Sequence, residues 1–205
     1  MPARFLNALS CMDRIAETRP GYPGRLRIGV TGHRTLTEVP TLEALTKQAI
    51  GAQTWGTAPD PSQRYTVVSP LAEGADRIVA RAVLTYDESR LDAVLPMVLD
   101  DYMEDFHTSE SRLEFRELLA RCVQPVYLRS RRIGEESSDP DQQAELRNAA
   151  YEAAGRYVVD HCDVLFALWD GHPSRGRGGT TDIVAYAREQ RQPVIRIWDG
   201  RCTIL

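Results

Sequence analysis

The chain has 205 residues, 42% hydrophobic and 26% charged, the composition of an ordinary globular protein able to bury a sizeable core. Its 25 Lys and Arg face 29 Asp and Glu, a formal charge of -4, so no overall basic field invites nucleic acid or anionic lipid. Cys11, Cys122, Cys162 and Cys202 are dispersed without CxxC or metal-finger spacing, and no apolar run approaches the roughly 20 residues that cross a bilayer. The expectation is a reduced, cytoplasmic protein with no structural metal and no membrane partner.

Taken in chain order, residues 4–17 carry Phe5, Leu6, Leu9, Met12 and Ile15 at helical period before the breaker-rich RPGYPG, which reads as an appended N-terminal helix and linker over 1–24. From residue 25 the pattern changes to short β-branched runs that alternate with helical stretches. Strands are expected at 26–30, 65–69, 92–95, 126–128, 164–168 and 194–198, and helices at 41–53, 74–85, 101–121, 141–162 and 180–190. This alternation predicts one α/β domain over 25–205, a Rossmann-like three-layer fold with a mostly parallel sheet of about six strands and helices on both faces. The polar stretch 129–140, RSRRIGEESSDP, has no apolar period and reads as a mobile connection or lid.

In such a sheet the ligand sits at the carboxyl ends of the strands, where helix N-termini present N–H groups. The first strand runs into Thr31-Gly32-His33-Arg34: a hydroxyl, a glycine that admits close backbone approach, and an arginine able to fork onto phosphate. The same four residues fit a tight turn with a solvated arginine equally well. After the second strand, Ser69 and Gly74 bracket a turn, with Glu73 and Asp76 placed to cap helix amides or to hold a ribose. Two carboxylates would repel a phosphate, so hydroxyls or a base suit them better.

The fifth strand ends at Trp169-Asp170 and enters Gly171-His172-Pro173-Ser174-Arg175-Gly176-Arg177-Gly178-Gly179-Thr180-Thr181-Asp182. Glycines, arginines and a Thr-Thr pair at a helix start are what a phosphate cradle needs, although the run matches neither GxGxxG nor the Walker pattern. Glu104, Asp105 and His107, in DDYMEDFH, follow the third strand and read either as an exposed acidic helix start or as part of the cleft.

Together IGVTGHR, VVSPLAEGADRIVA and CDVLFALWDG…GGTTDIV resemble the SLOG superfamily over about 26–198. That Rossmann-like fold is shared by the cytokinin-activating LOG proteins, DprA, and sensor domains of TRPM channels and bacterial defence systems. The resemblance implies a stand-alone bacterial member. It offers two functions: binding or sensing of nucleotide-derived ligands such as ADP-ribose-like molecules, cyclic nucleotides or mononucleotides, or phosphoribohydrolase cleavage of a nucleoside monophosphate. A segment similar to DxYxxDF often lines the cleft in that family.

Hydrolases of the family carry PGGxGTxxE, and aligning Gly179-Thr180 with its GT puts Ile183 at the glutamate position. An isoleucine cannot move a proton, and Asp182 lies about 100° around the helix from that direction. The resemblance therefore implies binding rather than hydrolysis, with Asp182 or Glu73 needed as the acid in the second case. The expected site is Thr31, Gly32, Arg34, Gly178, Gly179 and Thr180 around phosphate, and Ser69, Glu73, Asp76, Trp169 and Asp170 around ribose or base, with His33, Gly74 and Thr181 also in the site and Trp169 stacking if exposed. No further cofactor is required. The expected partners are a small nucleotide ligand, a second copy of the chain in a dimer or higher oligomer, and a separate effector protein; nucleic acid is disfavoured.

Overall fold

A computed structural model describes residues 25–51, 64–173 and 178–205. The N-terminal helix expected over 4–17, with Cys11, lies outside the described residues, as do Arg175 and Arg177 of the glycine-rich loop. Among the described residues seven strands form one sheet: β1 (Arg25–Gly32), β2 (Arg64–Ser69), β3 (Arg90–Leu95), β4 (Val126–Tyr127), β5 (Val164–Leu168), β6 (Val194–Trp198) and β7 (Arg201–Ile204). Their order is β4-β3-β2-β1-β5-β6-β7, and every neighbouring pair is parallel except β6 with β7. All six expected strands are present. The seventh is a short hairpin partner, reached through Asp199 and Gly200 at φ 50° and 68°.

Helices α1 (Val39–Gly51) and α2 (Ala75–Val83) lie between β1 and β3, and α3 (Leu99–Met103) and α4 (Ser109–Leu119) between β3 and β4. Then come α5 (Ile133–Glu136), α6 (Pro140–His161) and α7 (Thr180–Glu189). The fifth strand shows how the layers arise. Every residue of VLFAL is buried, and alternate side chains enter different cores. Val164, Phe166 and Leu168 join the core with α1, α2, α3 and α4, whereas Leu165, Ala167 and the next residue, Trp169, join the core with α6 and α7.

Two expectations are corrected. The helix expected over 101–121 is two helices, because Tyr102 and Phe106 both turn inward against Phe115, with ring centroids 5.1 Å apart for Tyr102–Phe106 and 4.9 Å for Phe106–Phe115. Thr108 then restarts the chain as the N-cap of α4, its hydroxyl accepting from Ser111 N at 3.0 Å. The stretch 129–140 is anchored rather than a free lid: Ile133 is buried, its amide donates to Asp101 Oδ2 at 2.7 Å, and Arg132 Nε donates to Asp101 Oδ1 at 2.9 Å. Among the described residues no helix is long and apolar enough to cross a membrane.

Candidate functional site

The chain builds outward from β1 through β2 to β3 and β4 on one side, then returns to place β5 on the other side of β1. Loops leaving the two central strands therefore diverge, and the crevice between them is the topological switch point where open α/β sheets bind ligands.

Backbone bonds hold the loop after β1 from two sides. His33 N donates to Leu168 O at 3.0 Å, and Ala75 N at the start of α2 donates to His33 O at 3.1 Å. Packing is close enough here that two glycines are required. A Cβ on Gly32 would lie 2.5 Å from Leu168 O, and Gly74, at φ 75°, would place one 2.3 Å from Arg34 O. Gly32 thus serves the approach of α2 and β5 as well as lining the cleft.

Pinned in this way, the loop carries Arg34 to the mouth of a cleft of about 370 Å³. The Arg34 guanidinium lies 5.4 Å from the centroid of the Tyr151 ring and 3.7 Å from Asp105 Oδ2. Asp105 also accepts from the Tyr151 hydroxyl and from Arg147 Nη1, at 3.1 Å for the latter. Opposite stand Gly178, Gly179 and Thr180 at the N-terminus of α7, where Gly179 provides no side-chain cap. A helix N-terminus carries positive dipole and amides without intrahelical partners, and these three residues bring it to the cleft wall.

The floor comes from α2 and α3. Pro70, Leu71 and Ala72 form a tight turn in which the fully buried Leu71 adopts φ 61°, a left-handed conformation costly for a branched residue. The turn places Asp76, 6% exposed, so that its Oδ2 accepts from Ala72 N at 3.0 Å while the Ser69 hydroxyl also bonds the carboxyl. Burial dominates these stabilising contacts, and the nearby Arg34 and Arg77 charges, and pushes the Asp76 carboxyl up to about 7. Asp76 is the one carboxyl that lines the cleft among the described residues. Beside it is Tyr102, wholly buried, whose hydroxyl has no hydrogen-bond partner among the described residues. Burial raises that phenol well above its ordinary value, so it stays neutral.

The remaining expected residues sit elsewhere. Ser69 accepts from Leu71 N at 3.0 Å and supports the turn. Glu73 accepts from the Ser111 hydroxyl and, with Gly74, lines a neighbouring cavity of about 570 Å³ that shares Arg34 with the cleft. Trp169 packs into the core against α6 and α7 and donates its indole N–H to His172 O at 2.8 Å, so it presents no stacking face to the cleft. His33 Nε2 lies 3.1 Å from Asp170 Oδ1, and its ring meets Trp198 edge-on at 5.4 Å. Thr181 Oγ1 donates to His172 O at 2.8 Å, and Asp182 is exposed with its Oδ2 accepting from Gly178 N at 3.0 Å. Ile183 lines the cleft as a buried apolar wall.

Sequence reasoning did not single out Tyr102, Tyr151, Gly155 or Arg196. Arg196 fixes the turn after β5 by donating to Trp169 O at 2.9 Å and to Asp170 O at 2.6 Å. Only Tyr102 left a trace, as the tyrosine inside DDYMEDF.

Fold and cleft together define a three-layer α/β protein with a strand-end crevice at its switch point. No family model matches the chain, and no curated protein matches it. Among the described residues no group of three or more His, Cys, Asp or Glu side chains is arranged to hold a metal ion.

Proposed function

We propose that this protein binds a nucleotide-derived small molecule, of the ADP-ribose, cyclic-nucleotide or mononucleotide kind, in the cleft between β1 and β5. The observation that carries this reading is convergence: Arg34, the N-terminus of α7 and Tyr102, whose buried hydroxyl is unpartnered among the described residues, line one crevice. Arginine and helix N-terminus are complementary to phosphate, and the apolar wall of Ala154, Gly155 and Ile183 is complementary to a flat base or sugar face. The resemblance to the SLOG superfamily supports the same reading. Calorimetric titration with ADP-ribose, AMP, GMP and a cyclic dinucleotide tests it: saturable heat from at least one is expected, and none from any of them would remove the proposal.

A second reading, phosphoribohydrolase activity, is favoured by Asp76 rather than by Asp182 or Glu73. A carboxyl with a pKa of about 7 at the cleft floor is suited to protonate a leaving base while water attacks C1′ of the sugar. Chromatographic detection of free base from AMP or GMP, lost in Asp76→Asn, is its expected signature; a wild-type protein that releases none contradicts it.

A further inference from the structure

The Tyr102 hydroxyl stands apart from the other buried polar groups of the crevice, because those already have partners. Asp76 bonds Ala72 N and Ser69, and the Tyr151 hydroxyl donates to Asp105. Tyr102 has its ring fixed by Phe106 at 5.1 Å, Phe115 at 5.7 Å and Tyr151 at 6.5 Å, and it lines the cleft, yet its buried hydroxyl is unpaired among the described residues. Phenylalanine would fill the same space without leaving a polar atom unsatisfied. Buried polar groups in folded proteins are almost always paired with protein, ordered water or a bound ligand, and a ligand in the adjoining cleft is the partner this position offers.

We infer that Tyr102 is the specificity-determining residue of the cleft and that, together with Asp76, it reads the vicinal hydroxyls of a ribose, so that ribonucleotide-derived ligands bind in preference to their 2′-deoxy counterparts. This rests on the nucleotide reading above. Three features of the site orient the ligand. A neutral phenol both donates and accepts, and a carboxyl at the same floor accepts when ionised, so the pair complements neutral hydroxyls and disfavours a phosphate. Phosphate is drawn instead to the rim, where Arg34 and the α7 N-terminus lie. Because the Tyr102 ring is wholly buried, its hydroxyl cannot swing to another partner. A site committed in this way rejects an analogue lacking the hydroxyl, since binding it leaves a buried polar group unpaired.

The experiment compares wild type with Tyr102→Phe by calorimetry, using AMP, GMP and ADP-ribose against 2′-deoxy-AMP and 2′-deoxy-GMP. A melting scan without ligand verifies the fold, and Tyr102→Phe is expected to melt no lower than wild type because the hydroxyl it loses is unbonded. Wild type is expected to prefer a ribonucleotide over its deoxy counterpart at least tenfold, and the variant to bring that ratio close to one. Equal affinities in the wild type, or a preference unchanged in Tyr102→Phe, would overturn the inference while leaving nucleotide binding intact. Absence of binding by every probe would overturn both.

Discussion

Gly155 of α6 and Ile183 of α7 meet so closely that a Cβ added at Gly155 would lie 2.4 Å from Ile183 Cδ1. The contact sets both the distance between the two helices and the position of the apolar wall of the cleft. Gly155→Ala must displace the isoleucine side chain, and overpacking of this kind costs about 1–3 kcal/mol, against the roughly 1 kcal/mol that Ala gains over Gly inside a helix. We expect a lowered denaturant midpoint and weaker ligand binding, both largely restored when Ile183→Val is added to the first change. A double variant no better than the single would mean that the two side chains are not coupled.

The loop after β1 makes a sharper demand, because the atom that a Cβ on Gly32 would strike is the backbone oxygen of Leu168. A carbonyl in a central strand cannot rotate away, so Gly32→Ala is expected to destabilise by about 3 kcal/mol. Gly134 in α5 has nothing within 4 Å of its Cβ position, and Gly134→Ala should be neutral or stabilising by up to about 1 kcal/mol. Equilibrium unfolding of the two variants in urea provides the comparison, and similar losses in both would contradict the packing account.

Asp76 gives the protein a specific pH dependence. Its folded pKa of about 7 lies above the ordinary 3.8, so its contribution to stability is full below about pH 4 and is lost as pH rises through 7. The difference corresponds to ~4 kcal/mol across that window. Asp76→Asn keeps the shape and removes the charge, so the variant should gain on wild type between pH 5 and pH 8. Denaturant midpoints of the two proteins at those pH values test this; a gap that does not change with pH would show that the carboxyl is not titrating there.

Asp101 anchors the 129–140 stretch. Burial alone would raise its carboxyl, but the Ile133 amide and Arg132 outweigh burial and hold it below the ordinary value. Its contribution is therefore present above the unfolded pKa and is lost as pH falls through the folded one. Asp101→Ala leaves the Ile133 amide buried without a partner, at about 1–3 kcal/mol. Hydrogen exchange should accelerate at 129–137 while β5 stays protected, and unchanged exchange there would deny the anchoring role.

Much of this was legible in the sequence because period reveals which face a residue occupies. All six expected strands and the breakpoints around them are present, and the strand-end loops named as a site supplied Thr31, Gly32, Arg34, Asp76, Gly178, Gly179 and Thr180 to the cleft. Trp169 was misjudged although its parity was available: it continues the alternation of Leu165 and Ala167, which places it in the core with α6 and α7. Tyr102 and Tyr151 reach the cleft from helices distant in sequence, and only tertiary packing brings them together. The break at 104–108 was disguised by helix formers on both sides, with Thr108 as its one local signal. Ile133 was a single apolar residue in a polar run, too little for a period but enough to anchor the segment.

Nucleotide binding in the cleft is tested most directly by a thermal-shift comparison of wild type and Arg34→Ala with AMP and ADP-ribose. Arg34 sits at the mouth of the crevice, where its guanidinium can meet phosphate without holding the core together. A ligand at 100 times its Kd adds about 2.7 kcal/mol, which raises Tm by roughly 5–10 °C for a protein of this size. That rise is expected in wild type with at least one of the two ligands, and it is expected to vanish in an Arg34→Ala protein that melts normally when unliganded. A rise equally large in both proteins would place the phosphate elsewhere, and no rise with either ligand would contradict nucleotide binding in this cleft.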